Sequence, residues 1–161
     1  MKITYLSLGS NLGDRRANLE DAVQRLGSPD LRVLRVSCIY ETEPRDVPDQ
    51  PWFLNQVVEA ETELFPRQLL AHTQKTERAM RRKPSFPKGP RLIDIDILLL
   101  GETILSTPEL EVPHPRIAER RFVLEPLAEL VPDLRHPRTR LTIRGMLAKV
   151  KDQTIRAFRP G

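Results

Sequence analysis

The stretch from residue 89 to residue 101, Gly-Pro-Arg-Leu-Ile-Asp-Ile-Asp-Ile-Leu-Leu-Leu-Gly, constrains the fold of this chain more than any other. Residues 92 to 100 are apolar and partly β-branched, a pattern typical of a buried central strand, but two carboxylates interrupt them. Side chains alternate across a strand, so Asp94 and Asp96 are predicted on one face. The isoleucines at 93, 95 and 97 are predicted on the other face, in the core.

The two carboxylates predict a cation site. Their Cα atoms would lie roughly 6.5 Å apart at strand spacing, close enough to share one hydrated cation or to hold a pair. Mg²⁺ takes one or two protein carboxylates and completes its octahedron with phosphate oxygens and water. With Arg91 just before the strand, the pattern favours a magnesium-bound polyphosphate. The alternative is a surface Asp-x-Asp on an edge strand, balanced by arginines.

Composition narrows the class of protein. A chain of 161 residues with 39% hydrophobic and 30% charged residues is expected to form one soluble domain, 1–161. Its amino terminus has too short an apolar run for a signal peptide and no run approaches membrane length, so we expect a cytoplasmic protein without a membrane partner. One cysteine excludes an internal disulfide. A net charge of +4 favours anionic partners, nucleic acid and nucleotides alike.

Hydrophobic periodicity predicts the order strand, helix, strand, strand, helix, strand. The strands are expected over 2–8, 31–40, 52–62 and 92–100, and the helices over 15–26 and 66–80. This order is the split βαβ arrangement, a sheet with its helices on one face and the other face open to ligands. Further helices are expected over 122–131 and near 142–150, before a basic closing segment that we interpret as structural.

Several polar positions are candidates for ligand binding. Phe53 and Asn55 fall on one face of a strand and offer a ring and an amide to a flat heteroaromatic ligand, although most strand phenylalanines belong to the core. Gln74, Glu77 and Arg81 share a helix stripe, which is more commonly a solvated face. Residues 81–91 carry five cations and three prolines and are expected to form a basic lid. Prolines on both sides restrain His114, whose imidazole could hydrogen-bond a phosphate.

The alternative function is a nucleic-acid-binding module, because the same architecture supports RNA recognition and the chain is basic. Against it, aromatic residues make up only 5% of the chain. Two carboxylates on the ligand face would also repel a phosphate backbone. We therefore expect small-molecule substrates, no nucleic acid and a monomer.

Six motifs together resemble 6-hydroxymethyl-7,8-dihydropterin pyrophosphokinase, a folate-pathway family. They are Gly9-Ser-Asn11, Tyr40-x-Thr42-x-Pro44, Asp49-Gln-Pro-x-Phe-Leu-Asn55, His72-Thr-Gln-x-x-Glu77, Gly89-Pro-Arg-x-x-Asp-x-Asp96 and Val112-Pro-His114. The resemblance covers residues 1 to about 135. It implies a ferredoxin-like α+β fold, a mainly antiparallel sheet with helices packed on it. It also implies transfer of diphosphate from ATP to the pterin hydroxymethyl group, with release of AMP. The resemblance further implies that two Mg²⁺ ions are bound.

The resemblance also implies residue roles. The magnesium ligands would be Asp94 and Asp96, and the catalytic residues would be these two with Arg81 and Arg91. The pterin-binding residues would be Thr42, Pro44, Phe53, Asn55 and Phe122. The ATP-binding residues would be Gln74, Glu77, Lys83, Arg91, Ile97, His114 and Arg120.

Three positions depart from the family pattern. Lys83 stands where arginine is frequent, so a bidentate phosphate contact is replaced by a point charge. Lys88 replaces a frequent tryptophan of the lid, and Glu109 replaces a frequent basic contact to ATP.

Overall fold

A computed structural model describes residues 1–44, 49–81 and 92–159 of the chain. The predicted contributions of Lys83, Lys88 and Arg91, with the basic segment after Arg81, lie outside the described residues. So do residues 45–48 of the loop between the second and third predicted strands.

The described elements follow the predicted order. They are β1 (Lys2–Ser10), α1 (Arg15–Leu26), β2 (Leu31–Val36), β3 (Tyr40–Thr42), β4 (Phe53–Thr62), α2 (Pro66–Met80), β5 (Asp94–Leu100), β6 (Leu105–Ser106), β7 (Glu111–Val112), a 3-10 turn (Ile117–Glu119), α3 (Arg121–Leu130), α4 (Ile143–Leu147) and β8 (Arg156–Ala157). The last helix is shorter than the predicted range near 142–150. Within the described residues, no helix has the length and apolar composition needed to cross a membrane.

Six strands form the main sheet, in the order β5-β1-β4-β3-β8, with β2 also pairing with β4. All the described pairings within it are antiparallel. β6 and β7 form a separate two-stranded sheet. The predicted α+β class with a mainly antiparallel sheet is therefore confirmed.

Helices cover both faces of the main sheet, so the prediction of helices on one face was wrong. One core cluster joins residues of α1 and α2, such as Leu19 and Leu69, to Leu6 of β1. The second joins α3 and α4 to Tyr5 of the same strand and to Val57 of β4. Adjacent strand residues point to opposite faces, so the neighbouring apolar residues Tyr5 and Leu6 require cover on both sides.

The predicted strand over 31–40 is broken by Ser37, which lies between β2 and β3. Its backbone N–H donates to the Val57 carbonyl at 2.9 Å, while its hydroxyl accepts from the Val57 N–H at 2.9 Å. A side-chain oxygen thus replaces a ladder carbonyl, and regular pairing stops there. Hydrophobic periodicity alone does not reveal that a side-chain oxygen takes the place of a backbone carbonyl here.

β5 is an edge strand of the described sheet, whereas its apolar composition predicted a central one. The helix α2 packs against β5, and the β5 residues Ile95 and Leu98 lie in different core clusters. The backbone N–H of His114 donates to the Leu98 carbonyl at 2.9 Å, so a loop protects the exposed side of the strand. A covered edge buries apolar side chains as a central strand does.

The two predicted helices that flank the first core cluster have the expected boundaries. Asp14 caps α1, with its carboxylate accepting from the Ala17 N–H at 3.1 Å. Pro66 opens α2, where its missing N–H costs nothing. The predicted stripe of α2 is buried, and it consists of Leu69, Thr73, Thr76 and Met80.

His136, in the loop between α3 and α4, predicts a pH dependence of stability. It is buried, and its Nδ1 accepts from the backbone N–H groups of Arg138 and Thr139 at 3.1 and 3.2 Å. Burial, with a smaller contribution from the charge of Arg138, lowers the pKa of His136 from its ordinary value of 6.5. Below about pH 6.5 the unfolded chain therefore takes up a proton here that the folded protein does not, and the free energy of unfolding falls.

We expect the temperature of the thermal unfolding midpoint to decrease as the pH is lowered from about 7.5 to about 5.5. In His136→Gln the midpoint should be lower throughout, but its slope with pH should be shallower, because this residue no longer titrates. An equal slope in the variant and the wild type would contradict the assignment.

Candidate active site

The registers of three adjacent strands bring two groups of polar residues together. Gly9 of β1 pairs with Asn55 of β4 on one side and with Asp94 of β5 on the other. Directly paired residues of neighbouring strands point to the same face, so Asn55 and Asp94 share a face about 10 Å apart, two strand spacings. This face is the one that α3 and α4 cover elsewhere, since Val57 and Leu98 alternate in phase with these residues.

Gly9 leaves the floor between the two groups open. It lies within β1, just beyond the end of the strand predicted over 2–8. A Cβ atom built there would lie 3.4 Å from Asn55 Oδ1 and 3.6 Å from Phe53 Cδ1. A side chain at this position would occupy the space beside the ring and the amide. The signal was present in the sequence, because a glycine inside a strand pattern often marks a close approach.

Asp94 and Asp96 form the carboxylate side of this face. They alternate with Ile93, Ile95 and Ile97, which are 0%, 6% and 5% exposed and lie in the first core cluster. The side chain of Asp94 is 37% exposed, and its Oδ1 lies 4.0 Å from Nη2 of Arg81. Among the described residues, no group of three or more His, Cys, Asp or Glu side chains is arranged to hold a metal ion alone.

Glu77 of α2 forms a hydrogen bond with β5 at Ile95, which lies between the two aspartates. Its Oε2 accepts from the backbone N–H of Ile95 at 2.9 Å, and Nη2 of Arg81 lies 3.8 Å away. Burial raises the pKa of Glu77, and the charges of Asp94 and Asp96 raise it further against the opposing effects of the hydrogen bond and Arg81. Glu77 therefore fixes the strand that carries the carboxylate pair.

The loop after β7 and the start of α3 bring a histidine and an arginine to the same place. The Nδ1 atom of His114 accepts from the Arg116 N–H at 3.1 Å, so in the neutral ring the proton lies on Nε2. Burial lowers the pKa of His114, and Arg120 and Arg116 lower it further, while the charge of Asp96 opposes them. Arg120 also lies over Phe122, with its guanidinium carbon 5.4 Å from the ring centroid.

The opposite side of the face is lined by aromatic and amide groups. Asn55 Nδ2 donates to Thr42 Oγ1 at 2.7 Å, and the two residues are 4% and 7% exposed. Thr42 pairs with Phe53, whose side chain is half-buried. Phe122 is also half-buried and lies at the start of α3, which packs against β3 and β4. Pro44 follows β3 and is half-buried.

Two predicted ATP-binding residues occupy less direct positions. The side chain of Ile97 lies in the first core cluster, on the face opposite Asp94 and Asp96, so it does not point toward the site face. Gln74 is exposed on α2, one turn before Glu77.

Sequence reasoning missed residues that support the aromatic side. Arg15 Nη1 donates to the Trp52 carbonyl at 2.7 Å and to Glu41 at 2.9 Å. Arg156, which is distant in sequence, also binds Glu41. Local periodicity gives no signal for these pairs.

Fold and site together define an α+β domain of the ferredoxin-like class, with a carboxylate pair and a cluster of aromatic and amide side chains on one face of its sheet. A family model described as 7,8-dihydro-6-hydroxymethylpterin-pyrophosphokinase (HPPK) matches residues 5–132. The chain belongs to this family.

Individual relatives agree with the family match. The chain is 47% identical over 129 residues to a 2-amino-4-hydroxy-6-hydroxymethyldihydropteridine pyrophosphokinase of Bacillus subtilis, covering 80% of this chain and 77% of that protein. It is 42% identical over 156 residues to the folic acid synthesis protein fol1 of Pneumocystis carinii, covering 97% of this chain but only 21% of fol1. The chain therefore spans about a fifth of the length of that fungal relative.

Solved structures support the fold. A Plasmodium falciparum HPPK-DHPS chain crystallised with pteroate superposes with a TM-score of 0.74 at 17% identity, over 92% of this chain and 42% of that one. The same fold thus occurs as part of a longer chain.

The buried hydrogen bond between Asn55 and Thr42 predicts a stability effect. In Thr42→Val the Asn55 amide loses its acceptor while remaining buried, so we expect the free energy of unfolding to fall by about 1–3 kcal/mol. Urea denaturation measures the difference. The control Thr42→Ser keeps the hydroxyl and should lose clearly less, whereas equal losses would show that the bond itself contributes little.

Proposed function

We propose that this chain transfers diphosphate from ATP to the hydroxymethyl group of 6-hydroxymethyl-7,8-dihydropterin, releasing AMP, as one domain of residues 1–161. Membership of the HPPK family supports this reaction, and so does the name of the B. subtilis relative. One observation carries the proposal. The register around Gly9 brings an aromatic ring and an amide, which suit a flat ligand, beside a carboxylate pair that suits a polyphosphate.

The pterin would bind on the Asn55 side of Gly9. Stacking against Phe53 and Phe122 suits a flat bicyclic ring. Because Asn55 Nδ2 is used by Thr42, the Oδ1 of Asn55 is oriented to accept from a ring N–H, and the Thr42 hydroxyl can donate its own proton. Pro44 would limit the pocket beside Thr42.

The carboxylate pair fits magnesium better than a metal that needs an all-protein site. Asp94 and Asp96 share one face, with no third acidic or imidazole ligand arranged beside them among the described residues. Two protein carboxylates leave coordination positions for phosphate oxygens and water, as Mg²⁺ requires. Bound here, magnesium would neutralise the phosphate oxygens and orient the triphosphate. We propose that this carboxylate pair would hold two ions.

The ATP would lie along β5, between α2 and the His114 loop. Arg81 and Arg120 bring positive charge to a polyphosphate beside Asp94 and Asp96, and the Nε2–H of His114 can donate to a phosphate oxygen. Glu77 holds β5 in place, Gln74 lies one turn away on α2, and Ile97 would contribute its backbone. Lys83 and Arg91, which lie outside the described residues, would add two further cations.

The chemistry proposed is an in-line attack of the pterin hydroxymethyl oxygen on the β-phosphorus of ATP, which breaks the bond to the α-phosphate oxygen and leaves AMP. Positioning of the two substrates and stabilisation of the spreading charge by Arg81, Arg91 and Arg120 would supply most of the catalysis. No residue is assigned as a general base.

The experiment is an assay of AMP formation with each component left out in turn. We expect AMP only when ATP, Mg²⁺ and the pterin alcohol are all present. Salt-sensitive retention of RNA without any AMP would instead favour a nucleic-acid-binding module.

The cytoplasmic location and the monomeric state expected from the sequence stay predictions.

Asp94→Asn and Asp96→Asn test the carboxylate pair. Each replacement keeps the shape of the side chain and removes its charge, so each should lower turnover by at least about 100-fold, with little change in the unfolding midpoint. Asp133→Asn is the matched control, since Asp133 is an exposed carboxylate paired with Arg144. Near-normal turnover in either site variant would remove the basis of the magnesium assignment.

A further inference from the structure

The carboxy-terminal segment, defined here as residues 156–158, lies beyond the family match and forms the last strand of the main sheet. Arg156 pairs with Glu41 and Ala157 pairs with Tyr40 of β3. The Phe158 N–H donates to the Ile39 carbonyl at 2.9 Å, and its side chain packs against the first core cluster. The segment therefore extends the sheet beside the strand that carries Thr42.

Two arginines from opposite ends of the chain converge on Glu41. Arg156 Nε lies 2.9 Å from Glu41 Oε1, and Arg15 Nη1 lies 2.9 Å from Glu41 Oε2. Burial alone would raise the pKa of Glu41, but the hydrogen bonds and charges of Arg15 and Arg156 outweigh it and lower the pKa. The carboxylate is thus kept ionised and is held at both oxygens.

The same arginines hold Trp52. Arg15 Nη1 donates to the Trp52 carbonyl at 2.7 Å. The guanidinium carbon of Arg156 lies 4.0 Å from the centroid of the Trp52 ring, within the range of a cation–π interaction. Glu41 comes immediately before Thr42, and Trp52 immediately before Phe53. The arginines therefore connect the two backbone positions next to the proposed pterin contacts.

This connection is important because the pairing between β3 and β4 is short. β3 has only three residues, and its pairing with β4 is limited to Tyr40, Glu41 and Thr42. The ten residues 43–52 join the two strands, and a connection of that length does not fix a register as a tight hairpin does. Contacts from outside the hairpin therefore add to the pairing that sets the relative position of Thr42 and Phe53.

We propose that Arg156 and Arg15 are positioning residues for the pterin half of the site, holding Thr42 and Phe53 in register through Glu41 and Trp52. The inference rests on the proposed function for the identity of the ligand. Neither arginine touches the pterin; each acts on the face of β3 and β4 opposite the ligand, because side chains alternate along a strand.

Arg156→Gln is the test variant. Its side chain is 60% exposed, so the change should leave the fold intact. We expect KM for the pterin to rise about three- to tenfold, while KM for ATP and the unfolding midpoint stay nearly constant. Arg156→Lys keeps the charge but not the planar contact with Trp52, so its effect should be intermediate. Arg144→Gln, which breaks an exposed ion pair with Asp133, is the matched control and should change neither KM.

Trp52 supplies a readout that does not depend on turnover, since it is the only tryptophan in the sequence. Its emission should change in Arg156→Gln without ligand, and a pterin titration followed by this emission should show the same weakening as KM. Unchanged pterin KM and affinity in an active Arg156→Gln enzyme would overturn the positioning role. So would a lower unfolding midpoint with both KM values unaltered, which indicates a purely structural contact.

The two proposals fail in distinguishable ways. Wild-type protein that releases no AMP from ATP, Mg²⁺ and pterin would overturn the proposed function, whatever Arg156 does. If that protein still binds pterin, the fluorescence titration of Arg156→Gln decides the positioning role by itself. If it does not bind pterin, both proposals are overturned.

Discussion

The antiparallel register of β1 with β4 and β5 is the constraint on which the site depends. It places Gly9 between Asn55 and Asp94, so that the amide of Asn55 and the carboxylate of Asp94 occupy one face of one sheet. A shift of one residue in either pairing would turn one of these groups toward the opposite core. Because Ile93, Ile95 and Ile97 are buried in the first core cluster, a shift of β5 would bring the two aspartates into that core, and packing therefore protects the site geometry.

The acidic and the basic residues of the site lie on different elements of this framework. The acidic residues Asp94 and Asp96 lie on the strand itself. Arg81 at the end of α2 lies 4.0 Å from Asp94. Arg120 before α3 is close enough to His114 for both its charge and that of Asp96 to act on the imidazole. An acidic floor with a basic rim is suited to a polyphosphate that carries its own cations. The lowered pKa of His114 fits the same arrangement, because a neutral imidazole donates a hydrogen bond without repelling the adjacent arginines.

The carboxylate half was predictable because it is encoded in one strand. Alternation along residues 92–100 predicts which side chains are buried, and Ile93, Ile95 and Ile97 are buried as expected. The same stretch could not reveal that β5 lies at the edge, since the covering loop bonds to Leu98 from residue 114. The second helical layer was missed for a similar reason: an apolar helix near 122–131 does not state which face of the sheet it will cover.

The pterin half could be predicted only through the family motifs, because no single stretch of the chain encodes it. Its proposed contacts come from β3, β4 and α3, and the support for β3 comes from Arg156, which is separated from Glu41 by 115 positions. A pair so distant in sequence leaves no local periodic signal, and the sequence alone predicts only a structural role for the basic closing segment. The two halves should therefore differ in their response to distant substitutions. Changes at the carboxy terminus should affect recognition of the flat ring and leave the polyphosphate side intact.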